Sequence, residues 1–589
     1  MRNLFNSVKR KPIRYNKFDL SFPNYFTADY GVLYPCLVKE VHAGEVIREF
    51  AESMIRTQPL RAPAFVRSDA TVHFFFVPYR LVYEDWTKFI VRGKDGDTDY
   101  DKPFIRFTDV FKYDVASSVF YDGSLADYLN FKTFAEGDTV PTSSEVKVDM
   151  MPFNAYSLIY NEYYRDENLI PEVFIWKHSG NTENAEDYDD YMNEIRSSLQ
   201  NPQSGDSLLQ AQYLTLPFFL RRRAWRKDYF TSALPFVQKG TPISLAGAVQ
   251  GAPGQTGVIV EWSASVPLQS NTPYFVNARR ADGDDYNRVF PYFRQSTASA
   301  TPPSSGAHSH NATADSGSTA AMQAVVPIAG LQTSVMTISD LRVGLALQQW
   351  FELNARTGSD RYFEYLLGHF GVRDRDSRLQ RPEYLGGFSH SIQISEVEQT
   401  SSSDDVSPQG NLAGKGLGYS YSHPVRYRFP EPGYLMAIYS IRPQPVYWQG
   451  QPRMYSRWDS FDYYDPLFDH LSEQPIWTSE LYFDWEYEPR GEDDKVFGYT
   501  PRFSEYRTSL PELHGDFRGN LRYWVSPRAL SSAVELNRDF IEVDGYSQAL
   551  YEHFAFIGDE QHQSHHFIVQ LNHKISLLRP MSKYATPYL

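Results

Sequence analysis

Cysteine is nearly absent from this chain, which has 589 residues and a single cysteine, Cys36. One thiol can form neither an internal disulfide nor a cysteine-based metal cluster. Long apolar runs are missing as well, since none reaches the roughly 20 residues that a membrane-spanning helix needs. The basic N-terminus is not followed by an apolar segment, so we expect no signal peptide, no membrane span and synthesis in the cytosol.

Motifs of the common enzyme classes are also missing. The sequence contains no HExxH, GxSxG or Walker A motif, and its QGNLAGKGLG loop lacks the Lys-Ser/Thr ending of a phosphate loop. The acidic loop of residues 95–101 lacks the glycine and the glutamate of an EF-hand. His308 and His310 have no third ligand at a suitable spacing. We therefore expect no catalytic residue, no metal and no cofactor.

Positive charge is scarce overall but locally concentrated. Acidic residues outnumber basic ones by 72 to 57, and the net charge of −15 argues against general nucleic-acid binding. We nevertheless predict contacts with a polyanion at two basic clusters, with base stacking on Trp225 in the second. They comprise Arg2, Lys9, Arg10, Lys11, Arg14 and Lys17 in the first, and Arg221, Arg222, Arg223, Arg226 and Lys227 in the second. The alternatives are a solvated tail for the first cluster and an arginine-mediated subunit contact for the second.

Hydrophobic periodicity predicts a mainly β chain. Aromatic residues make up 16% of the sequence, which favours β-structure and wide interfaces. The run of residues 70–77 is too apolar to alternate and predicts a strand covered on both faces. Alternation or apolar runs predict strands at 32–41, 55–60, 70–77, 392–397, 433–443, 481–485 and 566–577. Helical spacing predicts helices at 152–169, 339–357 and 361–369.

Residues 241–325 differ from the rest in composition. Between 296 and 320 they are small, polar and rich in Gly, Pro, Ser and Thr. A segment of that kind cannot bury a core of its own. We interpret the whole stretch as an insertion that projects from the main domain.

Several segments resemble one family of viral proteins. NARTGSDRYFEYLLGHFGV followed by DSRLQRPEYLGG, then DYFTSALPFVQKG and HGDFR, are similar to the major capsid proteins of the Microviridae, especially the gokushovirus-like branch. The resemblance implies an eight-stranded antiparallel jelly-roll barrel with long loop and helical insertions. It also implies a T=1 icosahedral shell of sixty copies around a circular single-stranded DNA genome. A small basic DNA-binding protein is a further implied partner.

The resemblance also suggests how the chain is divided. We expect a basic arm (1–17), first jelly-roll strands (18–91), a helical and loop insertion (92–240), a protruding insertion (241–325), a helical segment (326–387) and the remaining strands and loops (388–589). In gokushovirus-like relatives such an insertion forms spikes at the threefold axes. The candidate contacts with a host receptor are therefore Ser304, Gly306, His308, His310 and Asn311.

The resemblance implies a virion protein that is assembled in the host cytoplasm, and the missing motifs lead us to expect that it is not an enzyme. The alternative is a jelly-roll protein that binds or cleaves carbohydrate, because acidic and aromatic residues are abundant.

Overall fold

The computed structural model divides the chain into two compact units, residues 1–239 with 352–589, and residues 240–351. The structure describes residues 14–92, 101–106, 119–135, 138, 146–177, 216–239, 257–263, 321–327, 338–357, 380–398, 400, 412–469, 473–486, 488–491, 494–543, 548–555 and 565–583.

Two antiparallel sheets lie at the centre of the larger unit. The first has the neighbour order β2 (Phe22–Ala28), β17 (Phe567–Arg579), β4 (Val46–Thr57) and β12 (Leu412–Tyr421). The second has the order β10 (Glu383–Ser391), β5 (Ser68–Pro78), β14 (Gly433–Pro443) and β3 (Tyr34–Val41). Along the chain the eight strands alternate between the sheets, apart from the step from β5 to β10. This order is the connectivity of a jelly roll.

Short strands extend the first sheet at its edges. β1 (Asn16–Asp19) pairs with β17, β11 (Gln393–Glu398) pairs with β12, and β13 (Val425–Arg428) pairs with β4. β10 and β11 are separated only by Ile392, whose side chain is buried. The chain therefore passes from one sheet to the other at a single corner residue.

The remaining elements lie in the connections. Three further antiparallel pairs are β6 (Phe104–Arg106) with β7 (Lys147–Asp149), β8 (Gly257–Ser263) with β9 (Ala321–Pro327), and β15 (Glu473–Trp477) with β16 (Val496–Pro501). The α-helices are α1 (Tyr79–Val82), α2 (Trp86–Val91), α3 (Leu125–Tyr128), α4 (Met151–Tyr163), α5 (Ile338–Thr357), α6 (Thr478–Leu481) and α7 (Arg538–Ile541). Turns of 3₁₀-helix span Arg453–Tyr455, Ser460–Asp462, Pro466–Phe468, Ser504–Tyr506, Gly515–Arg518, Arg522–Trp524 and Gln548–Tyr551.

Strand β5 is buried on both faces. Phe74 and Phe76 point into the core between the two sheets. Phe75 and Val77 point the other way, into a second core where α4 and neighbouring loops cover the outer face of the sheet. Because both faces are covered, the strand has no reason to alternate polar and apolar residues.

The structure confirms the mainly β fold class and several predicted elements. The strands expected at 70–77, 433–443 and 566–577 correspond to β5, β14 and β17. The helix expected at 339–357 corresponds to α5, whereas the helix expected at 361–369 lies outside the described residues.

Other boundaries were wrong, for identifiable reasons. The strand expected at 55–60 is the end of β4, whose inward positions include Glu49 and Ser53 and so conceal its alternation. The strand expected at 481–485 is absent, because residues 478–481 form α6 and the strand precedes it as β15. The helix of 12 or more residues expected within 152–169 is α4, which has 13 residues and ends at Tyr163. A bulge interrupts the register of β10 between Tyr384 and Gly386.

Gly31 joins three parts of the larger unit. Its N–H donates to the carbonyl of Ile441, and its own carbonyl accepts from the N–H of Arg223. Its φ of +75° favours glycine, and an added Cβ would lie 2.4 Å from the Cβ of Val543. Only glycine allows these segments to approach so closely.

We predict that Gly31→Ala lowers the free energy of unfolding by roughly 2–4 kcal/mol, because a strained φ and a steric clash combine. The matched control is Gly123→Ala, which has a φ of +87° but open space around its Cβ position. The control should lose only about 1 kcal/mol. Urea unfolding of the unassembled chain measures both, and equal losses would show that crowding at Val543 contributes nothing.

Candidate nucleic-acid interface

The first basic cluster lies mostly outside the described residues. Arg2, Lys9, Arg10 and Lys11 belong to that part, whereas Arg14 and Lys17 are described and exposed. Lys17 lies in β1, opposite Leu578 of β17. The basic arm expected at residues 1–17 is therefore shorter than predicted, because residues 16 and 17 belong to the sheet.

The second cluster begins with side chains that point into the protein. Arg221 is 3% exposed, donates a hydrogen bond to the carbonyl of Leu216 and lies 5.7 Å from the ring centre of Tyr160. Arg222 donates to the carbonyl of Val543 at 3.2 Å. The cause is local: backbone bridges join Arg222 to Val32 and Ala224 to Glu542, so the segment is held between two others.

Trp225 is also buried, at 2% exposure, and packs against the guanidinium of Arg528 at 5.1 Å. Its position corrects the expectation that bases stack on Trp225, and the burial of Arg221 corrects the expectation that this side chain contacts DNA. Both side chains instead stack against groups of their own chain, and the alternative of a contact between subunits stays a prediction.

A buried carboxylate accounts for the first two arginines of the cluster. Glu542 is 5% exposed, and burial raises its pKa to about 7, even though Arg538, Arg222 and Arg221 favour its charged form. The hydroxyl of Tyr160 donates to it at 3.4 Å. The local excess of positive charge is therefore partly neutralised inside the protein.

The rest of the cluster faces a different environment. Arg226 and Lys227 are exposed, and Lys227 forms an ion pair with Asp166 at 2.9 Å. Arg223 reaches the outer face of the second sheet. Arg223 and Lys227 line a common cavity of about 410 Å³. Contact between these three residues and nucleic acid stays a prediction.

Sequence reasoning missed two basic residues of the same cavity, Arg165 and Arg442. Arg442 is the next-to-last residue of the strand 433–443, which was predicted correctly. A basic residue at the end of an apolar strand is a visible signal, but its neighbours come from distant parts of the chain. The candidate host contacts Ser304, Gly306, His308, His310 and Asn311 lie outside the described residues.

A second feature of the larger unit is an exposed group of apolar side chains in the loops after β14. We call it the aromatic loop surface; it consists of Trp458, Phe461, Tyr463, Tyr464, Leu467 and Tyr506. Trp458 is 72% and Leu467 83% exposed. The guanidinium of Arg457 lies over the rings of Tyr463 and Tyr506 and links them.

One buried and one half-buried set of ion pairs hold these loops in place. Arg453 contacts Glu480 at 3.0 Å and Glu505 at 3.8 Å, and Arg490 forms two hydrogen bonds with Asp462. Ordered loops that expose large apolar side chains are typical of protein interfaces.

Within the described residues, no helix is long and apolar enough to span a membrane. No group of three or more His, Cys, Asp or Glu side chains in that part of the chain is arranged to hold a metal ion.

Comparison with known proteins identifies the family. The family model described as "Capsid protein (F protein)" matches residues 6–589. This chain belongs to the phage F capsid protein family. The match to the capsid family covers nearly the whole chain, including the loops that carry the aromatic loop surface.

Three relatives of the capsid protein are each named "Capsid protein VP1", and all come from Microviridae. The protein of Chlamydia phage 1, a gokushovirus, is 32% identical over 100% of this chain and 98% of its own length. That of Bdellovibrio phage phiMH2K is 31% identical over 90% and 87%, and that of Spiroplasma virus 4 is 27% identical over 92% and 90%. The chain is therefore a structural component of a virion and a major capsid protein that self-assembles.

The buried Glu542 makes the stability of this capsid protein depend on pH. Its folded pKa of about 7 exceeds the ordinary value of 4.5, so the folded state binds more protons between these values. The stability contributed by this group is therefore greatest at low pH and falls as pH rises toward 7. We predict that Glu542→Gln removes this loss. Between pH 4.5 and 8, the free energy of unfolding of the variant should rise by about 3 kcal/mol relative to that of the wild type.

Urea unfolding of the unassembled chain at several pH values measures the difference between variant and wild type. Glu535→Gln is the control, because Glu535 is 83% exposed. The free energy of unfolding of this control should change with pH in the same way as that of the wild type. A constant difference between Glu542→Gln and wild type at all pH values would contradict the buried, proton-binding state of Glu542.

Proposed function

We propose that sixty copies of this capsid protein form a T=1 icosahedral shell around a circular single-stranded DNA genome, assembled in the host cytoplasm. The observation that carries the proposal is the match of the whole chain to Microviridae capsid proteins, together with a jelly-roll core. The carbohydrate-binding alternative is set aside, because all three relatives are named capsid proteins.

The aromatic loop surface supports contacts between subunits. An exposed apolar group of this kind costs free energy in water, and burial against a second copy recovers it. In a closed symmetric shell the same contact is repeated by every subunit. Side chains such as Trp458 and Tyr463 also belong to the residue types that contribute most to binding at interfaces.

Charge supports a basic component inside the shell. Each subunit carries −15, and the DNA adds further negative charge. We propose that the basic arm of residues 1–17 and a separate small basic protein reduce this repulsion. Five of the arm's six basic residues, Arg2, Lys9, Arg10, Lys11 and Arg14, precede β1 and can be removed without cutting that strand.

Contact with the host is proposed for the insertion of residues 241–325. Its composition between 296 and 320 suits a surface segment that contributes no core. Within the smaller unit, β8 and β9 pair antiparallel on either side of that stretch. A receptor-binding segment carried by paired strands is a common arrangement for loops with binding functions.

We predict that the purified full-length chain forms closed shells of one size, and that Trp458→Ala combined with Leu467→Ala raises the concentration needed for assembly about 10-fold or more. The physical reason is the loss of apolar area from a contact repeated around the shell. Negative-stain microscopy and light scattering across a concentration series measure the concentration at which shells form.

The control for this experiment is Ile90→Ala in α2, which removes a side chain of similar exposure, 60%, on a different element. Thermal unfolding of all variants should match that of the wild type. A wild-type chain that stays monomeric at high concentration would disprove the capsid proposal. Wild-type assembly by the double variant would disprove only the role of the aromatic loop surface.

We also predict that deletion of residues 296–320 leaves particle yield unchanged and lowers adsorption of virions to host cells. The reason is that the deleted segment contributes host contacts and no core. Counting of adsorbed particles, with virions carrying a Gly/Ser replacement of equal length as the control, separates lost contacts from altered spacing. Loss of particles upon deletion would count against the proposal.

A further inference from the structure

The cavity beside Arg223 lies where the outer cover of the second sheet ends. Along β14 the outward side chains change from Met436 and Ile438, which belong to the core beneath α4, to Ser440 and Arg442. The opposite strand β5 changes in the same way, from Phe75 through His73 to Thr71. The last turn of α4 and the segment that follows it form the side wall.

Positive charge accumulates in this cavity, although the chain as a whole is acidic. Its lining contains four permanently basic side chains, Arg165, Arg223, Lys227 and Arg442, and one carboxylate, Asp166. His73 adds no charge at neutral pH, because burial and the nearby Arg223 and Arg442 lower its pKa to about 4. The walls therefore carry an excess of three positive charges.

Two of these arginines are partly buried without an ionic partner. Arg223 donates to the hydroxyls of Thr71 and Ser440, which are neutral. The Nε of Arg442 is buried and has no hydrogen-bond partner. Within the part of the chain that the structure describes, neither side chain forms an ion pair, and the carboxylate of Asp69 opposite Arg442 accepts from Ser391 instead.

Such an arrangement is costly for the isolated chain. Burial, followed by repulsion from Arg223, lowers the pKa of Arg442 to about 10. Asp69 offsets the repulsion at Arg442 only in part, and two guanidinium groups held together destabilise the folded state unless an anion neutralises them. The cavity therefore has the electrostatic character of an anion-binding site.

The remaining lining is aromatic. The ring of Tyr384 is 48% exposed and lies 5.6 Å from His73 and 5.5 Å from Phe75. Arg223 lies over the ring of Tyr164 at 5.6 Å. A half-exposed tyrosine beside clustered arginines combines a stacking surface for a base with donors for a phosphate, as in sites that bind single strands.

We propose that this cavity binds one unpaired nucleotide of single-stranded DNA, with Arg223 and Arg442 on the phosphate and Tyr384 stacked on the base. This inference rests on the proposed packaging of single-stranded DNA. A volume of about 410 Å³ suits a small ligand the size of one nucleotide. A duplex would not fit in the same way, because its bases are stacked on each other and unavailable to Tyr384.

The test is fluorescence anisotropy of a labelled oligothymidylate about ten nucleotides long, titrated with the unassembled full-length chain at several salt concentrations. Arg442→Gln should weaken binding about 10-fold at low salt and reduce the slope of log affinity against log salt by about 0.7. Tyr384→Ala should weaken binding about 10-fold with an unchanged slope, and Tyr384→Phe should restore it.

Controls separate this role from a structural one. Arg48→Gln makes the same charge change at an exposed position of β4 in the other sheet and should bind like the wild type. Arg442→Gln should unfold at the same temperature as the wild type or a higher one, because the repulsion from Arg223 is removed. A merely structural arginine would give a lower unfolding temperature and an unchanged salt slope, which would overturn the proposal.

The outcomes also distinguish this inference from the proposed function. If the wild type binds the oligonucleotide and both Arg442→Gln and Tyr384→Ala bind equally well, the cavity is not the site. In that case, oligonucleotide binding by a chain that lacks residues 1–13 shows whether the basic arm is the binding site. Displacement of the oligonucleotide by a polyglutamate peptide as effectively as by unlabelled oligonucleotide would assign the cavity to an acidic protein segment. Absence of binding by the wild type at any salt concentration would remove DNA contact from the proposed function itself.

Discussion

Burial of β5 on both of its faces is the constraint on which the larger unit depends. Phe74 and Phe76 fill the space between the sheets, and Phe75 and Val77 require a second apolar layer outside. A bare outer face here would expose large aromatic area to water. The connection between β5 and β10 supplies that layer through α4, so this insertion is part of the core and more than a loop between strands.

The same covering layer positions the basic residues. Residues 221–225 run between Gly31 and Glu542, and the spacing of side chains along this extended segment turns Arg221 and Trp225 inward. Arg223 is left at the margin of the layer, where α4 ends and the outer face of the sheet becomes polar. One short segment thus stabilises the interior with some of its arginines and presents another to a cavity.

How much of the fold could be predicted from the sequence depended on whether the residues that contact each other are also close together in the chain. β14 and β5 are continuous apolar runs, and their bounds follow from composition alone. β4 was mostly missed because its inward Glu49 is accommodated by His573, at 2.7 Å, in a strand far along the chain. A polar residue at a core position looks like a break in the pattern until its partner is known.

The candidate site shows the same limit more strongly. The basic run of residues 221–227 was conspicuous in the sequence, but nothing near it indicated that a buried Glu542 interacts with two of its arginines. Nor did the sequence indicate that Arg442 and Tyr384 meet Arg223. The family resemblance was accessible because its signatures are contiguous, whereas the cavity is assembled from five separate segments.

The position of β17 has a consequence for how the protein is made. This strand lies in the interior of its sheet, between β4 and the pair β1 and β2, and its His573 contacts a residue 524 positions earlier. The first sheet therefore cannot close during most of translation, and its early strands must wait on the ribosome with unpaired edges. A chain that ends before β17 lacks the strand that joins β4 to β1 and β2, so it cannot complete this sheet.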